Sequence, residues 1–293
     1  MSNSMADKLT QIAANSQLLY NAGYEKGKSE SGTGGYEQGV ADGKAEVYAE
    51  IEAINAQLEN TLNGTDTGGK SFYDEFWDEY QENGNRTDYA TSFAGDGWDE
   101  QTFKPKYDMT PYNAYMMFRG NAMKIDLVEY LNNLGIKLDF SKSTETGYLF
   151  DGAAFTRLGI IDVSGASANV PIGRVFNGCV NLLTIDKVVL KNGTTGKFDS
   201  SAFSRCSSLE NVTFEGLISN DGLDMRWSTK LSKASITNII EHLSTTTSGL
   251  AVTLSKVAVN KAFETSEGAN DGTTSTEWIT IIGTRSNWTI SLV

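Results

Sequence analysis

Residues 174–186, RVFNGCVNLLTID, and residues 201–214, SAFSRCSSLENVTF, have the same spacing of apolar residues. Both follow the pattern F-x-x-C-x-x-L-x-x-[IV], in which every third residue points the same way, as a tight helical turn leading into a short strand requires. The matching positions are Phe176, Cys179, Leu182 and Ile185 in the first copy, then Phe203, Cys206, Leu209 and Val212 in the second. We therefore expect strands at TIDKVVL and NVTFEGL, with the pattern residues buried beneath them.

Two looser copies of the pattern come earlier in the chain. MMFRGNAMKID (116–126) and YLFDGAAFTRLGIID (148–162) are built around Phe118 and Phe150, and Ala153 stands at the cysteine position of the second. The four phenylalanines lie 26 to 32 residues apart. A repeat of this length is typical of a solenoid, in which stacked units bury a shared core.

The stretch SAFSRCSSLENV closely resembles the AF-x-x-C-x-x-L-x-x-I signature of the BspA-like leucine-rich repeat family. The resemblance is specific for residues 174–214 and looser for residues 117–165. It implies an α/β fold in which residues 116–293 form a leucine-rich-repeat solenoid of short strands and helical turns. It also implies that Cys179 and Cys206 are small buried residues of adjacent repeats and not nucleophiles.

A tail of alternating helices and strands follows the repeats. We expect helices at KASITNIIEHL and STEWITIIGTR, a helical turn at VAVNKAF, and strands at LAVTLSK and NWTISLV. A solenoid needs a terminal unit that covers its last apolar surface, so this tail is predicted to form a C-terminal cap. The order of segments from RWSTKLSK to NWTISL also resembles the C-terminal portion of repeat proteins encoded by phages and prophages of gut Firmicutes. The genes of such proteins lie among tail or baseplate genes.

Residues 1–65 are polar and helix-prone, and we assign them to a separate helical segment. The apolar residues Val47, Ile51, Ile54 and Leu58 form the a/d stripe of a coiled coil over about two heptads. Two interpretations stay open: the stripe drives self-association into a dimer or trimer, or the helix packs on its own domain. Residues 66–115 would then connect the two parts through an aromatic-rich helix, SFYDEFWDEYQENGN, and a loop-rich stretch without a clear period. We expect the aromatic face of this helix to pack against the protein and not to bind sugar.

Residues 64–71, GTDTGGKS, match the phosphate-binding pattern G-x-x-x-x-G-K-[ST] letter for letter. That pattern binds phosphate only between a buried strand and a helix. The preceding EVYAEIEAINAQLENTLN is a polar helical sequence, and Asp74 and Glu75 would repel phosphate. We interpret the stretch as a flexible hinge and expect neither a nucleotide nor any other cofactor.

Composition and charge argue against several classes of function. A net charge of −13 and a pI near 4.6 disfavour nucleic acids and anionic membranes as partners. The chain shows no apolar run of about 18 residues and no Sec signal peptide, so neither membrane insertion nor conventional secretion is expected. The only histidine, His242, is expected on a solvated helix face, and the two cysteines make neither a disulfide framework nor a zinc site. We therefore predict a protein without catalytic residues or a bound metal.

The patterns together favour a structural and adhesive protein of a phage or prophage tail, made in the host cytoplasm and located in the virion. Its expected partners are further copies of itself, other tail or baseplate proteins, and a host-surface glycan or protein bound by the repeats. Three alternatives are a bacterial cell-surface leucine-rich-repeat adhesin, a glycan-degrading enzyme with a repeat accessory domain, and a non-adhesive particle component whose helices dock onto a neighbouring protein. The 37 acidic residues offer many carboxylate pairs, so their presence does not decide the second alternative.

Overall fold

A computed structural model of the 293-residue chain describes residues 72–165, 173–190, 198–264 and 272–293. The chain divides into two compact units, residues 1–76 and 77–293. The stripe residues Val47, Ile51, Ile54 and Leu58 and the GTDTGGKS stretch lie outside the described residues. Among the described residues, no helix is long and apolar enough to cross a membrane.

The described residues contain five α-helices and six strands. The helices are α1 Phe72–Tyr80, α2 Leu127–Asn133, α3 Lys233–Glu241, α4 Lys256–Ala262 and α5 Thr276–Gly283. The strands are β1 Arg157–Asp162, β2 Thr184–Val189, β3 Asn211–Glu215, β4 Asp224–Met225, β5 Leu250–Leu254 and β6 Trp288–Leu292. Single turns of 3₁₀ helix cover Glu82–Gly84 and Gly272–Thr274.

The predicted leucine-rich-repeat solenoid is wrong. In place of one strand ladder through residues 116–293, the described residues form two small three-stranded parallel sheets with few helices around them. The strand orders are β1-β2-β3 and β4-β5-β6. The first sheet aligns the apolar rows that the sequence pattern predicts, because Leu158 pairs with Ile185 and Ile185 pairs with Val212.

Helices bound the first sheet on both sides, which is the physical reason that its ladder does not continue. Next to β1, Asp126 is the only described residue that forms a bridge, to Arg157, before its carboxylate caps α2 by accepting the Glu129 N–H at 2.9 Å. Next to β3, the N–H groups of Val212 and Phe214 donate to side chains of α3 and not to another strand. Their acceptors are Ser235 Oγ at 2.9 Å and Asn238 Oδ1 at 2.7 Å.

A column of buried phenylalanine rings lies beside the first sheet. We call Phe93, Phe118, Phe150, Phe176 and Phe203 the phenylalanine stack; each is fully buried. Neighbouring ring centroids are 5.3, 5.4, 6.1 and 5.0 Å apart, in that order. The backbone N–H of each of the first four donates to a carbonyl in the next turn at 2.8 to 2.9 Å. The stack gives the turns around it a common rigid support.

Residues 85–115 were expected to lack a clear period, but this stretch contains the first ring of the stack. Phe93 occupies the same position in its turn as the four predicted phenylalanines, and Gly95 follows it as Gly120 follows Phe118. Trp77 of α1 packs near it, with ring centroids 5.9 Å from both Phe93 and Phe103. Trp77, one residue of the aromatic face that was expected to pack against the protein, is buried.

The helices and strands predicted in the C-terminal tail are each present, as α3, β5, α4, α5 and β6. Serine residues begin the three helices: Ser232, Ser255 and Ser275 each accept a backbone N–H three residues on. The apolar faces of these helices contribute Ile236, Ile239, Val259 and Trp278 to the core. The local pattern of this region was therefore readable from the sequence, although the solenoid it was expected to cap is not formed.

Candidate functional site

The turns around the phenylalanine stack carry a second column of side chains, two residues before each of the first four rings. Thr91, Met116, Tyr148 and Arg174 occupy this column, all with φ between 55° and 57°. Left-handed backbone of this kind costs a non-glycine residue about 1–2 kcal/mol. The N–H groups of the first three donate to the next turn at 2.9 to 3.0 Å, and this ladder offsets the cost. Each side chain is at least partly exposed, so the column presents them to solvent.

Two tyrosines and two arginines meet on this side of the turns: Tyr115, Arg119, Tyr148 and Arg174. Together with the exposed Tyr112, three residues before Tyr115 in the chain, we call them the tyrosine–arginine surface. The guanidinium carbons of Arg119 and Arg174 lie 5.8 and 5.6 Å from the Tyr148 ring centroid. Both distances fall in the range of cation–π attraction. Tyr115 meets the same ring edge to face, with centroids 6.0 Å apart.

The two exposed tyrosines of this surface are large aromatic side chains in contact with water. Tyr112 is 59% exposed and Tyr115 is 38% exposed. Tyr115 lies over the backbone of Gly147, where an added Cβ would come within 3.3 Å of the tyrosine ring. A side chain at position 147 would therefore crowd the ring of Tyr115.

The two arginines differ in their electrostatic partners. Arg119 Nε lies 3.3 Å from Asp151 Oδ2, and Asn177 donates to the other carboxylate oxygen. The guanidinium of Arg174 forms no ion pair within the described residues, and only its backbone N–H reaches a carboxylate, Asp199 Oδ1 at 3.4 Å. Within the described part of the chain, one positive charge on the surface is thus balanced by a carboxylate and the other is not.

A groove of about 400 Å³ lies between α2 and β1. Leu127, Leu131 and Leu158 are buried in its floor, and Ile160, which is 58% exposed, forms part of its wall. Gly159 lies close to α2, because a Cβ there would lie 3.1 Å from Val128 Cγ2.

The carboxylates that line this groove are each engaged by a donor. Asp186 accepts Nε and Nη2 of Arg157 at 2.9 and 3.0 Å, and Asp162 accepts the Ser164 N–H at 2.9 Å. Asp139 lies 3.2 Å from Lys137 Nζ, and hydrogen bonds from Ser141 hold the pKa of its carboxyl below the usual range. A general acid of a glycoside hydrolase needs its pKa raised, so Asp139 shifts in the wrong direction for that role.

The predicted repeat residues are all buried in the structure: Phe118, Phe150, Phe176, Cys179, Leu182, Ile185, Phe203, Cys206, Leu209 and Val212. Cys179 Sγ donates to Phe150 O and Cys206 Sγ donates to Phe176 O, both at 3.0 Å. Burial raises the pKa of the Cys206 thiol to about 12 and that of Cys179 well above its ordinary value. Both thiols therefore stay protonated at neutral pH, which is unfavourable for nucleophilic chemistry.

Asn121 has the role of Cys179 two turns earlier and was missed by sequence reasoning. Its Nδ2 donates to Phe93 O at 2.9 Å, as the thiols donate to later members of the stack. The signal was available, because Asn121 stands three residues after Phe118 just as Cys179 stands three after Phe176.

His242 ends α3 and is partly buried, not fully solvated as expected. Its Nδ1 hydrogen-bonds the carbonyl of Asn238 at 2.8 Å, so the ring closes the end of its own helix. Among the residues that the structure describes, no group of three His, Cys, Asp or Glu side chains could hold a metal ion.

The chain matches no protein-family model, no curated protein sequence and no solved structure.

Proposed function

We propose that the protein is a non-catalytic adhesion protein of a phage tail, which binds a glycan or protein on the host surface through the tyrosine–arginine surface. The observation that carries the proposal is the exposure of Tyr112 and Tyr115 on turns held by a fully buried phenylalanine stack. Tyrosine and arginine are the side chains over-represented where binding energy is concentrated. A rigid support means that little side-chain and backbone entropy is lost on binding.

The association with a phage tail is supported by the resemblance of residues 226–293 to the C-terminal portion of tail- and baseplate-associated repeat proteins. Adhesion by such a particle works through avidity, because copies held together convert weak single contacts into strong attachment. The proposed partners within the particle are further copies of the chain and other tail proteins. We propose that the stripe Val47, Ile51, Ile54 and Leu58 holds the copies together.

The binding part of the proposal is tested with full-length protein and purified cell walls of gut Firmicutes. The double variant Tyr112→Ala, Tyr115→Ala should bind at least about tenfold more weakly, since two exposed anchors are removed. Trp227→Ala is the matched control: Trp227 is also exposed, at 52%, but has no ring contact with the surface. Equal binding by the double variant and the wild type would contradict the proposal, as would release of soluble sugar from the walls.

The avidity part is tested by the mass of the full-length protein in solution. Ile51→Lys and Ile54→Lys together place charges in the stripe and should convert a dimer or trimer into a monomer. Such a monomer should also lose most of its attachment to cell walls while keeping its affinity for a single soluble ligand. A wild-type protein that is already monomeric would contradict the self-association.

A further inference from the structure

We propose that the ligand of the tyrosine–arginine surface is an anionic glycan, with Arg174 binding a phosphate or carboxylate group of the sugar chain. This inference rests on the proposed function and names the substrate class for the same surface. Its basis is that Arg174 is exposed and that its guanidinium forms no ion pair among the described residues.

The position of Arg174 makes it suited to an anion. Its guanidinium lies 5.6 Å from the Tyr148 ring centroid, which limits the orientations it samples, and Arg119 lies at a similar distance from the same ring. Asp151 compensates Arg119 but not Arg174. An anion bound at Arg174 would therefore gain a charge-assisted, bidentate hydrogen bond without displacing an existing ion pair.

The neighbouring groups suit sugar hydroxyls. Asp151 and Asn177 lie in successive turns, linked to each other by a 2.5 Å hydrogen bond, and place a carboxylate and an amide beside Arg119. Hydroxyl groups both donate and accept, so such a mixed set of polar groups can serve them. The tyrosine rings offer flat apolar faces that the C–H face of a sugar ring can cover.

A single-stranded nucleic acid also carries anionic groups and flat aromatic rings, but the surface is poorly suited to bind it. Binding of a nucleic-acid strand requires a track of positive charge along several phosphates together with stacking rings. The turn after Arg174 places Ser201 and Ser204 at the positions equivalent to Arg174 and Asn177.

The test measures the binding of full-length protein to four soluble probes at low salt. They are a teichoic acid with phosphodiester links, polygalacturonate with carboxylates, neutral dextran and a single-stranded DNA oligonucleotide. We expect one or both anionic glycans to bind, and dextran and the oligonucleotide to bind at least about tenfold more weakly. Binding of the teichoic acid alone identifies phosphate as the anchored group, and binding of polygalacturonate alone identifies carboxylate.

Variants of Arg174 connect the binding to the residue. Arg174→Gln should weaken binding of the anionic glycan about tenfold or more. Arg174→Lys should recover part of the loss, because lysine restores the positive charge but not the planar, bidentate guanidinium group. Arg205→Gln is the matched control: Arg205 is also exposed with a φ of 62°, but it lies against no tyrosine ring within the described residues. Arg205→Gln should leave binding unchanged, and the thermal unfolding of all three variants should match the wild type.

Three results would overturn the inference: equal binding of dextran and the anionic glycans, unchanged binding by Arg174→Gln, or tighter binding of the oligonucleotide. Failure of the ligand class is distinguishable from failure of the proposed function. If cell-wall binding is lost in the Tyr112→Ala, Tyr115→Ala variant but kept in Arg174→Gln, the anionic ligand is refuted and adhesion stands. If protease treatment of the walls abolishes binding, the ligand is a protein and the glycan is refuted.

Discussion

The sheet β1-β2-β3 and the tyrosine–arginine surface are formed by the same series of turns, but they differ in whether their charged side chains are paired. On the sheet, Arg157 binds both oxygens of Asp186, and Lys187 Nζ lies 2.7 Å from Glu215. On the turns, Arg174 has no acidic partner among the described residues, and Tyr112 and Tyr115 are exposed. The charged side chains of the sheet thus pair with one another, whereas the turns present an arginine and two tyrosines that a ligand can contact.

The largest expected effect concerns the stack that supports both regions. Phe150→Ala removes a fully buried ring that stacks between Phe118 and Phe176, so it should lower the free energy of unfolding by about 3–5 kcal/mol. Urea denaturation monitored by circular dichroism measures the change. Val180→Ala is the control, since Val180 is exposed and should cost less than about 0.5 kcal/mol. Equal stability of the two variants would show that the stack does not support the turns.

A smaller effect is expected where α3 ends the first sheet. Asn238→Ala leaves the Phe214 N–H without its acceptor, and should lower the free energy of unfolding by about 1–3 kcal/mol. Thr237→Ala is the control, because it lies on the same helix and also gains helix propensity when alanine is introduced. It should not destabilise the protein. Hydrogen exchange at Phe214 should accelerate in the first variant alone. Unchanged exchange would mean that another group caps this edge of the sheet.

The buried thiols under the turns predict a dependence of stability on alkaline pH. The pKa of Cys206 is about 12 in the folded protein, above the ordinary value of 9.0, and that of Cys179 is also raised. The folded state therefore keeps protons that the unfolded state releases, so this part of the stability is present below about pH 9 and is lost as the pH rises toward 12. Thermal unfolding from pH 7 to 11 measures it, and a Cys179→Ala, Cys206→Ala protein should show a weaker decline. Native protein should also resist iodoacetamide at pH 8, and rapid labelling would contradict the burial.

The sequence allowed prediction of the features that depend on local spacing. The three-residue period of RVFNGCVNLLTID predicted the turn, the buried cysteines and strand β2, because each depends on neighbours within about ten residues. The solenoid was wrongly predicted because its continuation depends on long-range partners. Asp126 begins a helix instead of a strand, and Ser235 and Asn238 take the place of a strand beside β3.

The candidate site was less accessible to sequence reasoning. Arg119, Tyr148 and Arg174 are separated by 29 and 26 residues and share no motif, so only the stacking of turns brings them together. Which aromatic residues are exposed depends on the packing of distant segments. Phe93 was missed for a related reason, since the F-x-G of its turn is not followed by the cysteine and leucine of the later copies.

The smallest effect on stability is expected on the sheet, and its comparison with the turns tests the central claim most directly. Cell-wall binding and urea unfolding are measured side by side for Arg157→Gln and Arg174→Gln. Arg157→Gln should keep wild-type binding and lose up to about 1 kcal/mol of stability, because it breaks a partly exposed bidentate ion pair. Arg174→Gln should keep wild-type stability and lose about tenfold or more in binding. Reduced binding by Arg157→Gln together with unchanged binding by Arg174→Gln would contradict the claim that the turns, and not the sheet, carry the binding surface.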